Sequence, residues 1–486
     1  MTNIAEVLRL GLGRQQAGRF QEAEAIYKEI LAEDPVNADA LHLLGVLSSE
    51  TGRHDQAAAC IGRAITLNPA PPFYHNNLGN VLHEQGRFSD ARLCYEEALR
   101  RDPSYAEAHN NLANSLYQLG LFLEALPHYL EAVRLKPGYA EAYNSFAVAL
   151  RDQGLLSEAL GCYEEALRLA PENADAHTGR AILRLLLGDF ERGWPEYEWR
   201  WKAKGFPRRV FQQPLWDGAL HPGARILLDA EQGLGDTIQF LRYVPLVKQT
   251  GATVLVECQP RLVPLLETVP EIDQVIAAGS PLPSFDAHLP FLSLPVVFHT
   301  TLETIPKWVP YLRVPQTKLE SWRRRVGAGG FKKVGIAWAG SPTYKKDRDR
   351  SLPLSEFAPL SGIPGIRLFS LQKMTGESEL SSGAAGLEIE DLEAGANEIT
   401  DTAAAIQSLD LVIAADTMVA HMAGALGAPV WTLLPFAADW RWLLGREDTP
   451  WYPTMRLFRQ SRPGEWRPVI ERVAEALRNA DDWLST

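Results

Sequence analysis

The stretch "HNNLANSLYQLGLFLEALPHYLEAVRLKP", residues 109–137, decides how the first two hundred residues fold. Its apolar positions recur at three and four residues, so it predicts two amphipathic helices. Gly120 ends the first, where a turn needs room. Pro137 closes the second, because proline cannot continue a helix. The same marks recur along the chain. Pro35, Pro69, Pro103, Pro137 and Pro171 are 34 residues apart, and so are Gly18, Gly52, Gly86, Gly120, Gly154 and Gly188. Ala23, Ala57, Ala91, Ala125 and Ala159 keep that interval too. Tyr27, Tyr95, Tyr129, Tyr163 and Tyr197 come four residues behind the alanine position.

A 34-residue period with this order of glycine, alanine, aromatic and proline resembles the tetratricopeptide repeat. Six units cover about residues 4–207. Each helix pair hides its apolar face only against its neighbours, so the expected form is a superhelix with a groove. Cys60, Cys94 and Cys162 fall on the same period and read as small packing residues; with Cys258 alone and no CxxC pair, neither a zinc site nor a disulfide framework is indicated. Asn77 and Asn111 take position six of their units, Asn76, Asn110 and Asn144 the place before, and Asn80 and Asn114 three places after. The units resemble the repeats of eukaryotic O-GlcNAc transferase, where an asparagine ladder lines the groove. That resemblance implies client binding by Asn77, Asn111 and Asn144, since an amide both donates and accepts. The same asparagines also suit capping or solvated positions. The sixth unit departs from the pattern in "GDFERGWPEYEWRWKAKGF", where Trp194, Trp199 and Trp201 read as a joint to the next domain.

Composition narrows the function. The chain has 486 residues, 46% hydrophobic and 22% charged, with a net charge of −12. An acidic chain of this kind argues against nucleic-acid binding, which needs a basic face. No window holds eighteen uninterrupted apolar residues, and the N-terminus lacks a basic-then-apolar leader, so the expected location is cytoplasmic.

After the Pro- and Gly-rich "FPRRVFQQPLWDGALHPG" (206–223) the period changes. "RILLDA", "TVLVEC", "QVIAAG" and "AHLPFLSLP" read as strands, with "TIQFLRYVPLVKQTG" and "PRLVPLLETVP" as helices between them. From residue 331 a second set begins: "KVGIAWAG", "IRLFSLQ", "LEIEDL", "LDLVIAAD" and "PVWTLLP". Strands alternating with helices predict doubly wound parallel sheets. The expected domains are therefore the repeats over 1–205, an acceptor-side Rossmann-like lobe over 206–330 and a nucleotide-sugar-side lobe over 331–486. Ligands of such sheets bind beyond the carboxyl ends of the strands. The turn "GLGDTI" is an incomplete dinucleotide fingerprint, with Ile238 in place of the third glycine and Glu257 at the end of the next strand. By itself it leaves a nicotinamide enzyme as a competitor.

"EQGLGDTIQFLRYVPLVKQ" together with "DLVIAADTMVAHMAGALGAPVWTLLP" resembles the heptosyltransferase-like family of two-lobed transferases. The resemblance covers about residues 225–460 and implies a GT-B-type glycosyltransferase fold of two Rossmann-like lobes. Asp236 takes the place of the family's catalytic aspartate, in a turn formed by Gly233 and Gly235. Asp416, Thr417 and His421 match its Asp-Thr-x-x-x-His element. "GSPTYKKDRDRSLPLSEF" (340–357) corresponds to its phosphate-contacting segment, which puts Ser341, Lys345 and Arg350 on the donor. A nucleotide sugar is then a substrate; no cofactor and no metal is called for, and Asp347 and Asp349 are expected to pair with the cations beside them. The residues admit plainer roles: Asp236 suits a helix cap, and His421 a buried helix position. "PFAADWRWLLGREDTPWYPTMRLFRQ" departs from the family pattern, and Trp440, Arg441 and Trp442 are placed at the donor pocket.

Joined, the halves imply a metal-independent glycosyltransferase that moves a sugar to a Ser or Thr hydroxyl of a protein held by the repeats. Flagellin or another surface protein is the implied client. A lipopolysaccharide or other glycan acceptor, with the repeats as partner scaffold, is one alternative, and a scaffold without activity is another.

Overall fold

The protein, seen in a computed structural model, is described over residues 4–205, 209–219, 222–342, 347–373, 380 and 386–479. It divides into two compact units, Met1–Arg180 with Lys202–Lys204, and Ala181–Trp201 with Gly205–Thr486.

Antiparallel helix pairs run from α1 (Ile4–Gln16) to α12 (Phe190–Tyr197), each pair occupying one 34-residue period. The pair α5 (Pro72–Glu84) and α6 (Phe88–Arg101) shows how the repeat works. Gly86 has φ +75°, and the N–H groups of Gly86 and Arg87 return to the carbonyls of His83 and Leu82, each at 2.9 Å. This reverses the chain while satisfying the carbonyls at the helix end. A Cβ on Gly79 would stand 2.5 Å from the Tyr95 ring, so the missing side chain lets α6 close on α5. Ala91, Tyr95 and Ala98 are buried at that contact.

The division falls inside α11 (Ala174–Leu186), so the end of the sixth unit belongs with the second half of the chain rather than with the repeats. The cause is aromatic. Trp194 on α12 is 2% exposed and meets Trp440 edge-on with ring centres 5.0 Å apart, and Phe240 at 6.1 Å.

The second unit holds two parallel sheets. In the first the order is β3-β2-β1-β4, with β1 Arg225–Asp229, β2 Thr253–Cys258, β3 Gln274–Ala277 and β4 Ala287–Pro290. The second is β10-β9-β8-β5-β6-β7, built from β5 Lys332–Ala337, β6 Ile366–Ser370, β7 Ile389–Asp391, β8 Leu411–Ala415, β9 Val430–Leu434 and β10 Met455–Arg459. Counted from its own first strand this is the order 3-2-1-4-5-6 of doubly wound sheets, whose direction reverses between β5 and β8. β8 and β9 are buried at every residue, as parallel strands covered on both faces must be. The last helix, Arg467–Arg478, closes one face with Val469, Ile470, Val473 and Leu477.

Two sequence expectations are refined. The helix after β1 is broken into Leu234–Phe240, a 3-10 turn Leu241–Tyr243 and Val244–Gln249, because Pro245 has no N–H for the carbonyl of Leu241. The strand in "AHLPFLSLP" stops at Pro290 and turns into Phe291–Ser293. No helix among the described residues is long and apolar enough to cross a membrane.

Candidate functional site

The carboxyl ends of β1, β5 and β8 carry the residues singled out in the second half. After β1 the chain turns through Gly233 into the helix Leu234–Phe240. Oδ2 of Asp236 accepts the N–H of Gly233 at 2.8 Å, which is the capping role. The other oxygen, Oδ1, accepts from Nη2 of Arg441. Arg441 also donates from Nε to Gln239 at 2.5 Å and from Nη1 to Asp439 at 2.7 Å. It is 7% exposed. Burial works against its charge, yet Asp439 and Asp236 outweigh this and hold the guanidinium above its ordinary range. The capping aspartate is thus also half of an ion pair 205 positions apart in sequence.

The second sheet's reversal point holds the other set. Gly340, just beyond β5, donates its N–H to Ser351 Oγ at 3.0 Å, and Ser351 Oγ donates to Asp347 Oδ2 at 2.9 Å. A Cβ on Gly340 would collide with the Asp347 carboxylate. Arg350 donates from Nε to Asp347 at 3.0 Å and from Nη1 to the Asp416 carbonyl at 2.8 Å, which ties the basic segment to the end of β8. Asp349 pairs with Arg348 at 3.4 Å. Ser341 is exposed at the end of β5, and Lys345 lies outside the described residues. Gln372 Oε1 accepts the N–H groups of Trp338 and Ala339, each at 2.9 Å, and so shapes the turn that carries Gly340.

Thr417 precedes the helix Met418–Ala425; its hydroxyl is buried and has no partner among the described residues. The first N–H groups of a helix have no intrahelical acceptor, so this end suits an anion. Burial, reinforced by Asp439, pushes the Asp416 carboxyl up to about 6, against the pull of Arg350 and Arg441. His421 sits one turn into the helix. A Cβ on Gly235 would come within 2.8 Å of its Cδ2, so the helices Leu234–Phe240 and Met418–Ala425 touch at this point. The ring stacks on Trp442 with centres 5.4 Å apart, and Nδ1 is 2.9 Å from the Tyr452 hydroxyl. Nε2 stands 3.9 Å from Asp416. Burial, with Arg441, Arg242 and Arg350 adding to it, holds the imidazole well below its ordinary value and therefore neutral.

The geometry brings Gly235, Asp236, Asp416, Thr417, His421 and Arg350 to the meeting of the two sheets. Glu257 does not join them: it is 2% exposed and paired with Arg209. Two cavities, of about 430 and 400 Å³, open elsewhere, on 445–459 with the last helix and on 302–307 with 446–453. Beside Asp236, the guanidinium of Arg441 takes the oxygen that the cap leaves free. Asp439, Gln239, Gln372 and Tyr452 belong to the site although no motif singled them out; beside them only Trp440, Arg441 and Trp442 were placed there from the sequence.

In the repeats, Asn111 donates to Asn76 at 3.1 Å and to Asn80 at 3.0 Å, and Asn77 Nδ2 is 2.9 Å from His42 Nε2. These amides link adjacent units to one another. The buried Oδ1 of Asn144 has no partner among the described residues.

Asp416 makes a testable signature. A carboxyl whose folded pKa is raised favours the folded state while protonated. That stability is full below the ordinary value of 3.8 and is lost as pH rises through about 6. Asp416→Asn should therefore gain melting temperature over the parent as pH goes from 4 to 7. A difference that stays constant with pH would contradict this environment for Asp416.

Three stretches match tetratricopeptide-repeat families, over residues 15–76, 76–140 and 147–188. Protein FlbA of Caulobacter vibrioides is 29% identical over 329 residues, covering 62% of this chain and 54% of that protein. The chain thus spans about half the length of this curated relative. Among solved structures, MamA is 25% identical, covers 34% of this chain and 96% of its own, and has a TM-score of 0.31. PilF of Pseudomonas aeruginosa is 22% identical over 41% of this chain and 90% of its own, with a TM-score of 0.38. The N-terminal part, to about residue 190, consists of tetratricopeptide repeats, and the chain is homologous to FlbA.

Proposed function

We propose that the two-sheet region is a GT-B-type glycosyltransferase, and that it moves a sugar from a nucleotide sugar to a Ser or Thr hydroxyl of a protein client. The observation that carries this reading is the placement of the Asp236–Arg441 pair after β1 and of Arg350, bonded to the Asp416 carbonyl beside Thr417, after β5 and β8, each beyond the carboxyl end of a parallel strand. Asp236 takes the proton of the acceptor hydroxyl, whose oxygen bonds to the anomeric carbon as the bond to the diphosphate breaks. Arg350 and the helix end at Thr417 offset the charge on the departing nucleoside diphosphate. Arg441, paired with Asp236, is a further cation at this site. Drawn to the donor phosphates, it releases the Asp236 carboxylate for proton transfer. The repeats hold the client, with Asn77, Asn111 and Asn144 along the groove; flagellin or another surface protein is the client we favour, and the cytoplasm the compartment.

The test is the melting temperature with ADP, UDP, GDP, CMP, their sugar conjugates and NAD. A ligand at one hundred times its dissociation constant adds about 2.7 kcal/mol of stability. We expect one nucleotide-sugar family to raise the midpoint. A response to NAD alone would replace the transferase by a nicotinamide enzyme, and silence throughout would favour a scaffold.

A further inference from the structure

A second ligand site lies away from the meeting of the sheets. The cavity of about 430 Å³ is walled by the loop 445–447, by β10 and by the last helix, Arg467–Arg478. Its volume is that of a small-molecule pocket. Arg446, Arg456, Arg459 and Arg472 line it, with Glu447 and Glu475.

The four arginines are not equally neutralised. Arg446 is bidentate to Asp448, with both bonds at 2.6 Å, and Arg456 meets Glu447 at 3.1 and 3.2 Å. Arg459 donates only to backbone: to the Arg446 carbonyl at 3.0 Å and the Trp442 carbonyl at 2.5 Å. Arg472 donates to the carbonyl of Arg459. Neither has a carboxylate partner among the described residues. Carbonyl bonds fix a guanidinium in place without cancelling its charge, and each leaves most of five donors unused. Burial, together with the charge of Arg446, pulls Arg459 down to about 10, a cost that a bound anion would relieve. Among the described residues that line the cavity, Glu475 is the carboxylate left to oppose them.

We infer that this cavity binds a phosphate-bearing small molecule, with its oxygens held by Arg459 and Arg472. Planar guanidiniums held at fixed positions suit phosphate oxygens better than they suit chloride. The inference does not depend on the transferase reading, because the cavity shares no residue with Asp236, Arg350 or Thr417. It does share a chain segment: the loop 445–447 continues from the turn Trp440–Trp442, which presents Arg441 to Asp236.

Calorimetric titration of the full chain with inorganic pyrophosphate, at constant ionic strength, tests it. Arg472 and Glu475 are exposed, so their variants should fold. Arg472→Gln should weaken one pyrophosphate equivalent about tenfold. Glu475→Gln should tighten it, and Arg467→Gln, exposed on the same helix but outside the cavity lining, should leave it unchanged. The opposite pattern, with loss in Arg350→Gln and none in Arg472→Gln, would place the anion between the sheets and overturn the inference. Absence of pyrophosphate binding would also overturn it, as would Arg472-dependent sedimentation with phosphatidate vesicles alone.

Discussion

Asp236→Asn is expected to lower sugar transfer by roughly 10² to 10⁴-fold while the protein stays folded. The proposed reading gives the carboxylate two duties that this change separates. As a cap, Oδ2 accepts the Gly233 N–H, and an amide oxygen does the same. As a base, the carboxylate must carry a proton away, and an amide does not. The partner left behind is not stranded, because Arg441 keeps Asp439 and Gln239. Initial rates against circular-dichroism melting give the two readouts. A melting midpoint near the parent's with transfer lost is the expected pair. Retained transfer would leave Asp236 a cap and nothing more. Asp236→Ala is a poorer test, since loss of the cap costs about 1 kcal/mol by itself.

The second large effect is structural. Arg200, fully buried just after α12, donates from Nε and Nη2 to the two oxygens of Glu231, both at 3.0 Å. It also reaches Glu198 at 2.7 Å and Ser293 at 2.9 Å. Glu231 accepts the Leu292 N–H at 3.0 Å as well, so this pair joins the end of β1, the end of β4 and the last helical turn before the linker. Burial pushes the Glu231 carboxyl up, and Arg200 is the main force opposing it. Arg200→Met removes that force and leaves a buried acid unpaired, at a cost of about 3–5 kcal/mol. For a unit of this size each kcal/mol moves the midpoint by roughly 1.5–2 °C, so the loss should be about 5–10 °C. Adding Glu231→Gln should restore part of it, because the charge that needed a partner is then gone. A single variant that melts with the parent, or a double variant no better than the single, would show that the pair is not what holds the turn.

The repeats were legible because their physics is local. Gly86 at its positive φ, Gly79 under Tyr95 and the prolines between units act within one period, so each leaves a mark at a fixed spacing. Strands were legible for a related reason: β8 is an unbroken apolar run, and β9 one interrupted by Thr432 alone, because both faces are covered. Their order was not, since which strand lies beside which depends on contacts far apart in sequence. The site divides the same way. Asp236, Asp416 and Thr417 sit on turns whose local pattern announces them. Arg441 reaches Asp236, and Tyr452 reaches His421, only once the sheets are side by side. Arg200 lay within a tryptophan-rich stretch, "EWRWK", that reads as a packing joint; its acidic partner 31 positions on has no spacing to betray it.

Hydrogen exchange of the full chain, with and without the nucleoside diphosphate that most raises the melting temperature, tests the proposed donor site most directly. Slowed exchange should be confined to 230–241, 338–342, 415–421 and 436–442, the segments that carry Asp236, Gly340, Thr417 and Arg441. Protection that falls instead on the repeats or on 445–459, or no protection from any nucleotide, would contradict a donor site between the two sheets.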